Sequence, residues 1–227
     1  MSEPLICCVC LDPGGRPDFT ARAEQCFQRQ DCDAEAVWLR YDTHGLLDTI
    51  GHMRNTANSS EPIQANFFAH WDWDDWSAPD RLSIQLEHIQ KTGKLVTGFY
   101  SMLFYDAVRD EVHFYEHEDH RYALGTSLFY RREAWEQHKF PDCGTRDPLA
   151  SPQRQRAEDN PWRLAVGMDN CSSLPGVRAD GTPIMIQTIH GANGSAQVVK
   201  GSPRWKTPTA VQEREVRRII TSASQAL

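Results

Sequence analysis

The chain reads as an α/β domain with a mainly parallel central sheet flanked by helices, and three observations predict it. Short apolar runs alternate with amphipathic segments along the chain, the signature of βαβ units. The third apolar run ends in three carboxylates within four residues, Asp72, Asp74 and Asp75, and ligands of open α/β sheets bind beyond such strand ends. A length of 227 residues is enough to bury one sizeable core.

The elements follow in order. Leu5–Leu11 reads as the first strand, and Pro13-Gly14-Gly15 as the turn after it. Asp18–Gln30 has helical spacing through Phe19, Ala23, Cys26 and Phe27. Ala36–Tyr41 is a second strand, Leu47–Asn58 a second helix, and Phe67–Trp71 the strand that delivers the acidic cluster. Pro79 opens a helix to Gln90, with Leu82, Leu86 and Ile89 on one face and Asp80 in its first turn. Leu95–Tyr105 and Glu111–Tyr115 read as strands joined around Arg109-Asp110, and Leu124–Tyr130 as another before a short helix through Trp135 and His138. Pro, Gly, Arg and Asp dominate Phe140–Asn160, which is expected to be a mobile loop. Ile184–His190 is a late strand and Thr209–Ala226 a terminal helix. Residues 1–195 are expected to form one domain, with 196–227 a tail and helix packed on it.

Composition narrows the function. With 24 Lys and Arg against 31 Asp and Glu, the net charge is −7, which disfavours a nucleic-acid binder relying on a basic surface. There is no signal-peptide pattern and no apolar stretch long enough to span a bilayer. Seven cysteines, an odd number, point to a reducing compartment and a cytoplasmic protein. Cys7, Cys8 and Cys10 lie too close together for zinc ligands and read as buried strand residues.

The acidic cluster carries the chemistry. Carboxylates this close repel one another unless a cation neutralises them, and hard divalent ions such as Mg²⁺ favour oxygen ligands together with substrate phosphates. Trp71, Trp73 and Trp76 interleave the carboxylates, which is unlike a solvated loop.

The run Ala69-His70-Trp71-Asp72-Trp73-Asp74-Asp75-Trp76, followed by Pro79-Asp80-Arg81-Leu82, resembles the DxD motif of GT-A glycosyltransferases, specifically the family 2-like group. Six further segments match in order. Leu5–Cys10 resembles the first strand of that group and Arg16-Pro17-Asp18-Phe19 the start of its first helix. Ile50-Gly51-His52-Met53-Arg54-Asn55 resembles its Gly-x-x-Arg-Asn helix, and Tyr122–Leu128 its acceptor-side strand. Glu158-Asp159-Asn160 resembles its Glu-Asp motif and Ile189-His190-Gly191 its late His. The likeness covers about residues 4–195.

This resemblance implies a GT-A fold and transfer of a sugar from a nucleotide-diphosphate sugar, with inversion and with Mn²⁺ or Mg²⁺. It assigns metal binding to Asp74, with Asp72 at the ribose or metal shell, Asp75 in support and His190 at the metal or diphosphate. Asp159 becomes the general base and Glu158 its neighbour, while Arg54 reaches the diphosphate or the base. Asp159 is equally placed to cap a helix. The residues that hold the nucleobase in that group are replaced here by Leu11-Asp12-Pro13-Gly14-Gly15 and reduced to Asp42 in Tyr41-Asp42-Thr43-His44-Gly45. Asp12 or Asp42 is the candidate base contact, and a uridine donor is the expectation. The acceptor stays open among a small molecule, a glycan, a peptide and a modified nucleic acid.

Two other functions fit parts of the pattern: a catalytically silent nucleotide-sugar- or partner-binding module, and a metal-dependent nucleotidyltransferase. The latter lacks a Gly-rich phosphate loop. His113, His117 and His120 would form a zinc-like face if helical, but Val112–Tyr115 reads as a strand. Arg204-Trp205 resembles the pair found in processive synthases, without the preceding Gln.

Overall fold

Two mixed sheets share the chain, and the acidic turn lies where one hands over to the other. The structure, a computed structural model, describes residues 4–60, 64–144, 157–190 and 201–225. Strand β1 (Leu5–Asp12) leads through α1 (Pro17–Gln28) to β2 (Glu35–Asp42), and α2 (Ile50–Ser60) returns the chain to β3 (Phe67–His70). A short β4 (Trp76–Ser77) precedes α3 (Arg81–Thr92), β5 (Val96–Thr97), β6 (Phe99–Asp106) and β7 (Glu111–Glu116). A 3-10 turn (Gly125–Ser127) enters β8 (Phe129–Arg131) and α4 (Arg132–Gln137). Then come α5 (Asp159–Val166), β9 (Leu174–Pro175), β10 (Met185–Ile189), β11 (Trp205–Lys206) and α6 (Ala210–Gln225).

The first sheet runs β2-β1-β3-β8-β5 and the second β11-β7-β6-β10-β4, with β9 also paired to β6. Parallel pairing in the first sheet is confined to β2-β1-β3, with Leu5 opposite Glu35 and Ile6 opposite Phe67. Pairing across β8 and β5 is antiparallel. Parallel neighbours need a crossover connection, which α1 and α2 supply for β2-β1-β3, and the second sheet adds the parallel pairs β6-β10 and β6-β9. Strand β8 arrives instead from the second sheet through the 3-10 turn, and runs the other way.

The α/β pattern itself is as the periodicity predicts, and three segments differ from it. Leu95–Tyr105 is two strands in different sheets, divided at Gly98, where a Cβ would lie 2.6 Å from the Cβ of Ala123. Leu124–Tyr130 is strand only from Phe129. Ser127 Oγ accepts from the Phe99 N–H and donates to the Leu124 carbonyl, both at 2.8 Å, and such local side-chain bonds displace a ladder. The segment Phe140–Asn160 is ordered at both described ends: the Gly144 and Cys143 carbonyls accept from the N–H groups of Ile50 and Gly51, and α5 begins at Asp159. Residues 145–156 and the expected boundary at 195 lie outside the described residues, as does Gly191.

Strand β1 is buried on both faces, which explains its three cysteines. Cys7 and Val9 face a cluster with Phe68, Tyr130, Trp135, Phe140 and Trp162, whereas Ile6 and Cys8 face Ala69, Trp71, Leu82 and Phe129. All seven cysteines are free, and burial pushes the Cys8 thiol well up. Helix α6 seats Val216 and Ile219 on Leu103 and Ile186 of the second sheet. No helix among the described residues is long and apolar enough to cross a membrane.

Gly98→Ala is expected to destabilise the protein by about 1–3 kcal/mol, because neither Ala123 nor the Ser127 carbonyl, 3.1 Å from the added atom, can swing away. Thermal unfolding should show a midpoint roughly 2–12 °C lower at about 2–4 °C per kcal/mol. An unchanged midpoint would mean that the crossover between the sheets is loosely packed.

Candidate active site

The acidic turn is anchored by its tryptophans before its carboxylates do anything. Trp71 is 1% exposed and donates its Nε1–H to the Ala23 carbonyl at 3.0 Å. Trp73 is buried against Phe19 and His190, with ring centroids 5.8 and 5.3 Å away. Trp76 has already entered β4. With alternate side chains held this way, Asp72, Asp74 and Asp75 each offer an oxygen within 4.8 Å of the others. Among the described residues this is the one group of three or more acidic, His or Cys side chains that could hold a metal.

The three carboxylates have different neighbours. Asp75 is buried; one oxygen accepts from the Thr188 N–H at 3.0 Å, and the other takes a short bond from the Thr126 hydroxyl. Asp74 Oδ2 lies 2.8 Å from His190 Nε2. Asp72 is the most exposed of the three and lies 3.6 Å from Arg54 Nη2. Burial pushes the Asp74 and Asp75 carboxyls up; repulsion from Asp72 adds to both and from Asp74 to Asp75, while the His190 contact pulls Asp74 down. An all-oxygen set carrying an excess of negative charge, beside an imidazole, fits a hard divalent cation.

A second acidic pair faces the first. Arg54 on α2 donates Nε–H to Glu158 at 2.8 Å and reaches Asp72 with Nη2, while its buried Nη1 has no hydrogen-bond partner among the described residues. Burial works against its charge, but Glu158 and Asp72 outweigh that and hold its pKa up. Asp159 lies over Gly125, where a Cβ would meet Asp159 Oδ2 at 2.2 Å. Only glycine leaves that approach open. Asp159 is the first residue of α5 and accepts from the Asn160 N–H at 2.8 Å, so it occupies the helix start without being the cap residue. Burial raises the carboxyls of both Glu158 and Asp159, against the pull of Arg54 on the first and of the Asn160 N–H on the second.

Asp72, Asp74, His190, Arg54, Glu158 and Asp159 thus come together. Asp12 and Asp42 are paired opposite one another at the carboxyl ends of β1 and β2. Both Asp12 oxygens are engaged, by the Gly14 N–H at 2.8 Å and by Arg40 at 2.7 Å, with the Thr20 hydroxyl adding a longer bond. Asp42 is exposed, with one oxygen on the His44 N–H. The histidine triad is dispersed: His117 stacks on Tyr122 and His120 on Tyr100. Arg204 pairs with Glu118, and Trp205 packs on Phe104. Asp80 pairs both oxygens with Arg178, at 2.5 and 2.7 Å, rather than capping α3.

Four residues beside the site carry no sequence signal of their own. Arg22 donates Nη2–H to the Asp74 carbonyl at 2.5 Å and to Thr188 Oγ1 at 3.1 Å. Thr126 and Thr188 hold Asp75. Arg81, 1% exposed, donates to the carbonyls of His70 and Thr126 at 2.6 and 3.3 Å. Only the short stretch Pro79–Leu82 marked Arg81, as part of a helix start.

Solved structures with this architecture are numerous. The residue 1–349 fragment of S. aureus TarS in complex with UDP superposes with a TM-score of 0.54 at 14% identity over 82% of this chain. The same fragment with UDP-GlcNAc gives 0.53 at 12% over 86%. The mannosyltransferase PcManGT from Pyrobaculum calidifontis, in complex with GDP-Man and Mn²⁺, gives 0.52 at 11% over 89%. The fold is GT-A. This GT-A chain spans 60%, 62% and 59% of the lengths of those three. No protein-family model and no curated protein sequence matches it.

Two predictions follow from the Arg54–Glu158–Asp159 group. Arg54→Met leaves a buried carboxylate without its cation and is expected to cost about 3–5 kcal/mol in denaturant unfolding. Adding Glu158→Gln should recover part of that loss; additive losses would show that the pair is not coupled. Asp159 is an acid whose native pKa is raised, so the native state keeps its proton to a higher pH than the unfolded chain. That contribution is complete below about pH 4 and is lost as the pH climbs to the raised native value. Asp159→Asn should therefore be more stable than the parent at pH 7, by about 1.4 kcal/mol per pH unit separating the two pKa values. The curves should converge below pH 4, and a constant gap between them would contradict the burial argument.

Proposed function

We propose that the chain is a metal-dependent glycosyltransferase. It moves a sugar from a nucleotide-diphosphate sugar, a UDP-sugar, to an acceptor hydroxyl with inversion. The observation that supports this most is the acidic turn of Asp72, Asp74 and Asp75 at the end of β3, facing Asp159 across Gly125 and Arg54. The GT-A fold adds to it, as does the UDP, UDP-GlcNAc, GDP-Man and Mn²⁺ in the complexes of similar fold. In this reading residues 1–195 carry the catalytic domain and 196–227 pack on it.

Asp72 and Asp74, with His190 beside Asp74, would hold Mn²⁺ or Mg²⁺. The bound cation supplies charge stabilisation to the departing diphosphate. Asp75 is engaged on both oxygens and keeps the turn in shape. Asp159, its carboxyl raised by burial, takes the acceptor proton; the acceptor oxygen then bonds to the anomeric carbon from the face opposite the diphosphate. The carbon–oxygen bond to the diphosphate breaks with its electron pair on the leaving oxygen, so one displacement inverts the centre. Glu158 holds Arg54, whose Nη1, without a hydrogen-bond partner among the described residues, is a donor for a diphosphate oxygen. Asp42, exposed at the end of β2, is better placed than Asp12 to meet a nucleobase, because Asp12 already has three partners.

Unfolding of the parent and of Asp74→Ala in the presence of UDP, GDP, CDP, ADP or TDP, each with and without Mn²⁺, tests the donor half. A nucleotide at about a hundred times its dissociation constant adds roughly 2.7 kcal/mol. The midpoint should rise by about 5–10 °C, with Mn²⁺ only and in the parent only. Asp159→Asn should bind the same nucleotide and lose about 10²–10⁴-fold in sugar transfer. Nucleotide binding without transfer or donor hydrolysis in the parent would favour a silent binding module instead.

A further inference from the structure

A cleft of about 600 Å³ opens between α1, α6 and the segment 178–183. None of Asp72, Asp74, Asp75, His190, Arg54 or Asp159 lines it. Its walls are unusual for a chain of net charge −7: they carry Arg22, Arg29, Arg178 and Arg218 against one carboxylate, Glu215. Trp76 and Ile219 supply its apolar surface.

The pairing of these charges decides what the cleft can take. Arg178 is neutralised by Asp80, which it meets with both carboxylate oxygens. Glu215 pairs with Arg218 at 2.9 Å and lies 3.5 Å from Arg214, which does not line the cleft. Arg29, exposed just past the end of α1, has no side-chain partner among the described residues. Arg22 is 6% exposed, with its guanidinium over the Phe19 ring at 4.9 Å and within the field of Asp74 and Asp75; Nη2 makes its hydrogen bonds, and its buried Nε has no hydrogen-bond partner among the described residues. Four guanidinium groups against one lining carboxylate favour phosphate oxygens, which guanidinium groups bind with charge-assisted bonds.

We propose that this cleft is a binding site for a small phosphate-bearing anion, separate from the nucleotide-sugar site. The phosphate lies between Arg29 and Arg218, above Arg22, and an organic remainder rests on Trp76 and Ile219. Organic phosphates therefore bind more tightly than inorganic ones. Arg22 also touches the Asp74 carbonyl, so the occupant sits one side chain away from the acidic turn.

The test uses the whole chain, free of divalent metal, with inorganic pyrophosphate and phenyl phosphate as probes followed by amide NMR. The proposal expects saturable shifts at Gln25, Arg29, Ile219 and Ser222 with both probes, tighter for a single phosphate group when it carries the phenyl ring. For that comparison inorganic phosphate is titrated alongside. Arg29→Ala together with Arg218→Ala should weaken binding about tenfold or more. Both side chains are at the surface, and Glu215 keeps Arg214, so the fold is retained. Shifts centred on Arg54 and Asp72, cleft shifts that persist in the double variant, or no saturable shift would each overturn it. The result is independent of whether the chain transfers sugar.

Discussion

The buried guanidinium of Arg81 is the contact on which the candidate site depends. It stands at the start of α3, lies over the Trp71 ring at 4.6 Å and donates to Ser77, Gln85 and the carbonyls of His70 and Thr126. Burial lowers its pKa to about 10, which leaves it charged at neutral pH. A buried cation is costly unless its donors are matched, and here each nitrogen has an acceptor. Because those acceptors come from β3, β4, α3 and the 3-10 turn, one side chain fixes the relative position of the acidic turn and the turn that faces it. Gln85, one helical turn along, adds a bond to the Ser127 carbonyl at 2.7 Å.

From that clamp two links run to the second acidic pair. The 3-10 turn presents Thr126 to Asp75 and Gly125 to Asp159, while Arg54 spans Glu158 and Asp72. The two carboxylate groups thus share a rigid backbone segment and a cation. Fixing their separation in advance is what a displacement reaction needs, since reacting groups held in place remove much of the entropic cost of bringing them together. The raised carboxyls of Glu158 and Asp159 follow from the same packing: burial disfavours their charge, and Arg54 offsets only part of it.

Much of this was legible in the residues themselves. The apolar periods of β1, α1, β2 and β3 and the acidic run after Phe67-Phe68-Ala69 give the sheet edge and its cluster. The order of short motifs gives a likeness to GT-A proteins that the architecture supports. Two segments depart from their local pattern for one reason. Gly98 looked like a residue within a strand, and Gly125-Thr126-Ser127 like the start of another. Each is shaped by a partner distant in sequence, Ala123 against the first and His70, Asp75 and Asp159 against the second. The segment around Glu158 read as loop from composition, yet its carboxylate is buried by pairing with an arginine 104 residues away.

The sequence by itself determined the α/β class, the place of the acidic cluster and the identity of the charged side chains, because periodicity and local spacing are properties of neighbouring residues. Only the tertiary structure decided which charges meet. Asp74 and His190 are 116 residues apart, and Asp75 and Thr188 are 113 apart, so their bonds exist only once β10 has docked against β6 and β4. The same holds for the arginine cleft, whose walls come from the beginning and the end of the chain. Charge is written residue by residue, but its compensation is set by long-range packing.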